Sequence, residues 1–94
     1  MSQTIELKKP VEHDGQTVTE IELDLEGLTG EDMTQAEAEH AVMTGGASSV
    51  LELSKAYLMH VAARAAKLPV ETIKSLDARD FTRVTMEVQN FLLG

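Results

Sequence analysis

Apolar and polar residues alternate through the first quarter of the chain. Ile5, Leu7 and Val11 share one parity, with Lys9 between them, while Glu6, Lys8 and Glu12 fall on the other. In a second run Thr17, Thr19, Ile21, Leu23 and Leu25 share a parity against Glu20, Glu22, Asp24 and Glu26. Period-two patterning marks strands with one buried face, and His13-Asp14-Gly15 between the runs predicts a hairpin. A two-residue Asp14-Gly15 turn would set Leu7 against Glu22 and Ile5 against Asp24, mixing the faces. The pattern therefore predicts an even register. A three-residue loop of His13, Asp14 and Gly15, with Gly15 left-handed as a bulge, pairs Leu7 with Ile21 and Ile5 with Leu23. Pro10 donates no ladder hydrogen bond, so its strand is an edge there.

Helical periodicity takes over after Leu28. Thr29 is placed to cap a helix with Glu31 and Asp32 in its first turn, where the helix dipole favours acids. This first helix runs to about Met43 on a weak stripe of Met33, Ala36, Ala41 and Met43, and Thr44-Gly45-Gly46 stops it. Ser48 or Ser49 caps a second helix from Val50 to about Lys67. Its broad apolar stripe, from Leu51 and Leu53 through Tyr57, Leu58 and Val61 to Leu68, makes it the central helix. Ala62, Ala63, Ala65 and Ala66 would allow another backbone to approach closely, though alanine is also simply the best helix former. Leu68-Pro69 marks a break, and a short helix follows from Pro69 to about Lys74. Asp77-Ala78-Arg79-Asp80 offers a fresh cap for a last helix. There Phe81, Val84, Val88, Phe91 and Leu92 form one apolar face, opposite a solvated face of Arg79, Arg83, Glu87 and Gln89. The fold class is α+β: an N-terminal antiparallel β-hairpin over residues 1–27, then three to four α-helices over 28–94, mainly helical, in a single domain.

Composition changes the picture in two ways. Only Tyr57, Phe81 and Phe91 are aromatic, so the core is built from aliphatic residues, Met and Ala and will be thin. A core this thin favours stabilisation by self-association. The net charge of −8 is concentrated at the front: residues 1–47 hold 11 acids and 2 lysines, against 5 acids and 6 basic residues in 48–94. An acidic surface repels phosphate backbones and anionic lipid, which argues against nucleic-acid and membrane partners. The chain has no cysteine, hence no disulfide, thiol nucleophile or cysteine-ligated zinc. No signal-like segment opens it, and no apolar run approaches the roughly 20 residues that span a bilayer. A soluble, cytoplasmic protein is expected.

Candidate chemistry is sparse. Glu37 and His40 have the i, i+3 spacing used in carboxylate-bridged di-iron bundles, but no second such motif accompanies them. His60 has no acid three or four residues away, and turn chemistry accounts for His13. Ser48 and Ser49 follow two glycines without a strand leading into them, so capping explains them better than a nucleophile elbow. Gly27, Gly30, Gly45 and Gly46 make no phosphate-binding fingerprint. Glu31 and Asp32 sit at an exposed helix start, where nothing separates their pKa values for acid–base work. These readings predict no enzyme, no catalytic, cofactor-binding or metal site, and no cofactor. Protein–protein interaction is the remaining class, with the partner-binding residues left unknown.

Several segments taken in order carry a resemblance. They are Ile5-Glu-Leu-Lys-Lys-Pro-Val-Glu-His-Asp-Gly, the strand Thr17–Leu25, the acidic helix start Leu28–Asp32, the Leu68-Pro69 break, and Asp80-Phe81 with Val84, Val88 and Asn90-Phe91-Leu92. Together they resemble the small tail assembly chaperones of contractile-tailed phages, known for tail proteins E, 41 and 14. The resemblance implies a protein of phage or prophage origin that works in the host cytoplasm and is absent from the mature virion. It implies binding to the long, largely helical tape measure protein, which it would keep soluble until tail tube subunits displace it, with the tube protein as a further partner. Binding would then be by many weak copies along one partner. Family members are often also made in a longer, frameshifted form, and the resemblance supplies no catalytic residue. An alternative from a different class is an acidic nucleic-acid mimic that inhibits a DNA-handling protein. Its basis is Glu20, Glu22, Asp24 and Glu26, which recur about 6.6–6.8 Å apart along a strand, near twice the charge spacing of one DNA strand.

Overall fold

A buried carboxylate on the last helix organises the first strand. The computed structural model describes residues 3–44 and 55–94, with the side chains of His40 and of residues 42–44 outside the description. Strands β1 (Gln3–His13) and β2 (Gln16–Leu23) pair antiparallel. Their turn is the two-residue Asp14-Gly15 connection, with φ of 53° and 75°. Two successive left-handed residues match the right-handed twist of the flanking strands, which is why Asp-Gly suits this turn. The three-residue loop with a Gly15 bulge is therefore corrected: His13 pairs with Gln16, Glu12 with Thr17 and Val11 with Val18.

The register then shifts. Beyond the irregularity Glu6 pairs with Glu20, Ile5 with Ile21, Thr4 with Glu22 and Gln3 with Leu23. An even register does hold in this outer part, but Ile5 meets Ile21 rather than Leu23. Between the two ladders the four residues Leu7 to Pro10 stand opposite Thr19 alone. Pro10 has no N–H to offer a ladder. The N–H groups of Lys8 and Lys9 leave the sheet and donate to Asp80: Lys8 N lies 3.1 and 2.9 Å from the two carboxylate oxygens, and Lys9 N lies 3.1 Å from one. Arg83 Nη1 completes the joint, donating to Asp80 at 3.0 Å and to the Glu6 carbonyl at 2.7 Å. The bulge thus lets the turn keep its preferred geometry while Ile5, Ile21, Leu23 and Leu25 all reach the core. Val11 and Val18 pack half-buried at its edge.

Helix α1 (Gly30–Thr44) starts where Thr29 was expected to cap it. The Asp32 N–H donates to Thr29 Oγ1 at 3.2 Å while the Thr29 N–H donates to Asp32 Oδ2 at 3.0 Å, a capping box closed by aspartate. Ala36 is its one buried side chain among the described residues. The Gly45-Gly46 stop, the Ser48 or Ser49 cap and the start of the second helix at Val50 lie outside the described residues.

Helix α2 (Lys55–Ala66) is central, as its wide stripe predicts, with eight of its side chains buried. It ends in a Schellman motif: the Leu68 N–H donates to the Ala63 carbonyl at 3.0 Å and the Lys67 N–H to Arg64 at 3.3 Å. Lys67 takes the left-handed position at φ 57°, where glycine is usual. Small residues do let backbone approach here, because the Asp24 N–H donates to the Ala65 carbonyl at 3.1 Å. Pro69 then precedes the short α3 (Val70–Lys74).

Helix α4 (Ala78–Leu93) is capped by Asp77, whose side chain accepts from the Arg79 N–H. Its buried residues are Asp80, Val84, Thr85 and Val88. The expected face of Phe81, Val84, Val88, Phe91 and Leu92 is thereby corrected. Phe81 and Leu92 are half-buried and Phe91 is 43% exposed. Thr85 enters the core because its hydroxyl donates to the Phe81 carbonyl at 3.0 Å and leaves no unmet donor. The core joins the hairpin to all four helices and is aliphatic apart from Tyr57.

Asp80→Ala strands the Lys8 and Lys9 N–H groups in a buried site, and should cost roughly 3 kcal/mol in chemical denaturation. Amide exchange in that variant should rise first across Leu7 to Lys9. Lys67→Gly relieves the left-handed Cβ, and should raise the urea midpoint by about 0.5–1 kcal/mol equivalent with an unchanged m-value.

Candidate binding surfaces

Along one seam, α1 meets α2 through charged side chains. His60 and Arg64 stand one turn apart on α2, and Asp32 and Glu39 stand two turns apart on α1. His60 Nδ1 lies 3.6 Å from Glu39 Oε1, and Arg64 reaches Asp32 at 3.4 Å and Glu39 at 3.5 Å. His60 is buried, whereas the other three side chains are between 29% and 49% exposed. The seam borders a cavity of about 600 Å³ lined by Glu39, His60, Ala63, Arg64, Lys67, Leu68, Pro69, Val70 and Glu71. Apolar floor and charges of both signs suit contact with another chain.

The second surface is on α4, where Met86 is 52% and Leu93 61% exposed. Seven residues apart, they share one side of the helix. Met86 also lines a cavity of about 330 Å³ with Thr4, Ile5, Arg83, Glu87 and Asn90, between β1 and α4. Phe91 stands exposed farther around the helix.

The candidate residues read from sequence are scattered. Glu37 is exposed on α1, and no group of three or more His, Asp or Glu able to hold a metal exists among the described residues. The His40 side chain, Ser48 and Ser49 lie outside them, as do Gly45 and Gly46. His13 does more than serve the turn: its Nδ1 shares a hydrogen bond with buried Thr72 Oγ1 at 3.3 Å, docking the hairpin tip on α3. His60 does meet an acid, one supplied by another helix. Helical spacing within α2 could not reveal Glu39, although the i, i+4 placement of His60 and Arg64 marked that side as polar. The acidic row is shorter than the sequence suggests. Glu20 and Glu22 are exposed on β2, but the strand ends at Leu23, and Asp24 turns its carboxylate to the Gly27 N–H at 3.2 Å. Exposed Glu6 faces exposed Glu20 directly across the sheet.

Two carboxylates have shifted pKa values. Burial alone pushes Asp80 up, but the Lys8 and Lys9 N–H groups and the Arg83 guanidinium overcome it and hold the group below 3.8. For Asp32 the Thr29 N–H lowers the pKa first; desolvation opposes it, and the Thr29 hydroxyl and Arg64 add to the lowering. Both are carboxylates at neutral pH, suited to binding donors rather than to giving up protons.

These surfaces belong to a small α+β protein, with no helix long and apolar enough to cross a membrane among its described residues. The chain matches the family model described as phage tail assembly chaperone proteins, E, or 41 or 14, over residues 4–93, and it belongs to that family. No curated protein and no solved structure matches it.

The pKa shifts fix the sign of an acid effect. A carboxylate whose folded pKa is depressed contributes stability that is fully present above its unfolded value and lost as pH falls through the folded value. Stability should therefore fall on acidification below 3.8, and denaturation of Asp80→Asn over the same range should show a shallower loss.

Proposed function

We propose that this chaperone binds the tape measure protein of its phage and shields apolar helical segments until tail tube subunits take them over. It acts without catalysis, in the host cytoplasm, and leaves before the virion is complete. Family membership supports the chaperone role. The observation that carries the choice of partner chemistry is the exposure of Met86, Phe91 and Leu93 on α4, in a chain of net charge −8. Large apolar side chains left in water offer contact area to an apolar client, and the surrounding charge keeps the loaded complex soluble. Each contact is small, so a long client would be held by many copies at once, with avidity replacing tight single-site affinity. The acidic-mimic reading has less support, because only Glu20 and Glu22 keep strand spacing.

Co-expression tests this. The tape measure protein should stay soluble and co-purify with the chaperone. Met86→Ser/Leu93→Ser should cut the recovered complex several-fold while the chaperone itself stays folded. Equal aggregation of the tape measure protein with and without the chaperone would overturn the proposal.

A further inference from the structure

On its solvent side, helix α4 carries both halves of a helix-to-helix contact. Arg83, Met86, Glu87 and Asn90 stand at i, i+3, i+4 and i+7, the four corners of a surface hole that receives one side chain of a neighbouring helix. The hole is open, for these four residues, with Thr4 and Ile5 of β1 along one side, line the cavity of about 330 Å³. Buried Ile5 and exposed Met86 give it apolar walls, and Arg83, Glu87 and Asn90 give it a polar rim. The fitting knob is on the same helix. Leu93 is more exposed than Met86 or Phe91, and it projects on the side of Met86, seven residues earlier. It lies roughly 10 Å beyond the centre of the hole along the helix axis, so it cannot fill the hole of its own chain.

We propose that α4 is the interface of a symmetric dimer, in which Leu93 of each copy seats in the hole of the other formed by Arg83, Met86, Glu87 and Asn90. One twofold axis fills both holes only if the helices run antiparallel, because parallel copies related by such an axis are in register and set Leu93 beside Leu93. The axis then crosses α4 midway between knob and hole, at Asn90. Asn90 is exposed, and its side-chain amide, both donor and acceptor, pairs reciprocally with its own copy on the axis. An amide in a helical seam also fixes the register. Charge favours the same orientation. No basic residue stands in the last turn of α4, where the partial negative charge of the helix gathers. Antiparallel packing brings Arg83 of the other copy beside that end, whereas parallel packing sets Arg79 and Arg83 against their own copies. Repulsion between two chains of net charge −8 is least at this face, because 11 of the 16 acids lie in residues 1–47. The contact is small, so the dimer is weak and reversible. A client held through Met86 and Leu93 takes the same side chains and so displaces the second copy, but the dimer itself does not rest on the function proposed above.

Analytical ultracentrifugation of the full chain over a wide concentration range should show a reversible equilibrium between monomer and dimer. Leu93→Ser empties the hole, and Asn90→Asp sets two carboxylates against each other on the axis. Each should raise the dimer Kd at least about tenfold. Both side chains are exposed, so the far-ultraviolet circular dichroism of either variant should match that of the unaltered protein. Orientation has a separate readout. The chain has no cysteine, so a single introduced cysteine reports one contact. Asn90→Cys should give a disulfide-linked dimer under mild oxidation, and Arg79→Cys, about 16 Å along the helix from the axis, should not. A chain that stays monomeric at every concentration, a dimer whose Kd neither substitution moves, or equal cross-linking at the two positions would overturn the proposal.

Discussion

Asp80 is a buried charge at the crossing of the first strand and the last helix, and it cannot be there without its donors. A carboxylate taken fully out of water loses several kcal/mol of hydration unless hydrogen bonds replace it. Three bonds from two consecutive backbone N–H groups and one from a guanidinium supply that replacement. The demand runs the other way too. Lys8 and Lys9 have left the β-ladder, and their N–H groups need an acceptor as much as the carboxylate needs donors. Neither half is tolerable alone. The strand is broken there because the helix offers Asp80, and the helix can bury Asp80 because the strand is broken.

This reciprocity spreads through the fold. Three extra residues in β1 relative to β2 let a tight Asp-Gly turn coexist with an even register farther out. That register brings Ile5 opposite Ile21 and sends both into the core. Asp80 also fixes the rotation of α4. With Asp80 and Thr85 both inside, the buried face is centred near Val84 and Val88, and Phe91 is left at its margin. The exposed Phe91 is thus a consequence of where the carboxylate must point. Two segments that carried the family resemblance separately, Lys8-Lys9-Pro10 and Asp80-Phe81, are the two sides of one contact across 72 residues of sequence. Their joint appearance has a physical cause.

Features set by neighbours along the chain were legible in the sequence. The hairpin, the Thr29 and Asp77 caps, the break at Pro69 and the centrality of α2 depend on local propensity and period, which a single sequence displays. Features set by distant pairs were not. With one continuous register, strand parity excludes the Asp-Gly turn. Only Asp80, far along the chain, makes a mid-strand break affordable. Periodicity likewise counted Phe91 as inside and passed over Thr85, because it cannot see that Thr85 satisfies its hydroxyl on its own helix. The charged seam was hidden for the same reason, since Glu39 and His60 belong to different helices.

The two ends of the molecule therefore differ in how they are held. The hairpin is fastened to α4 by charge-assisted bonds to a buried carboxylate, whose loss leaves unmet groups in the interior. Helix α1 meets α2 through ion pairs of Arg64 with Asp32 and Glu39 at 3.4 and 3.5 Å, between groups that water still reaches, so salt screens this joint and spares the buried one.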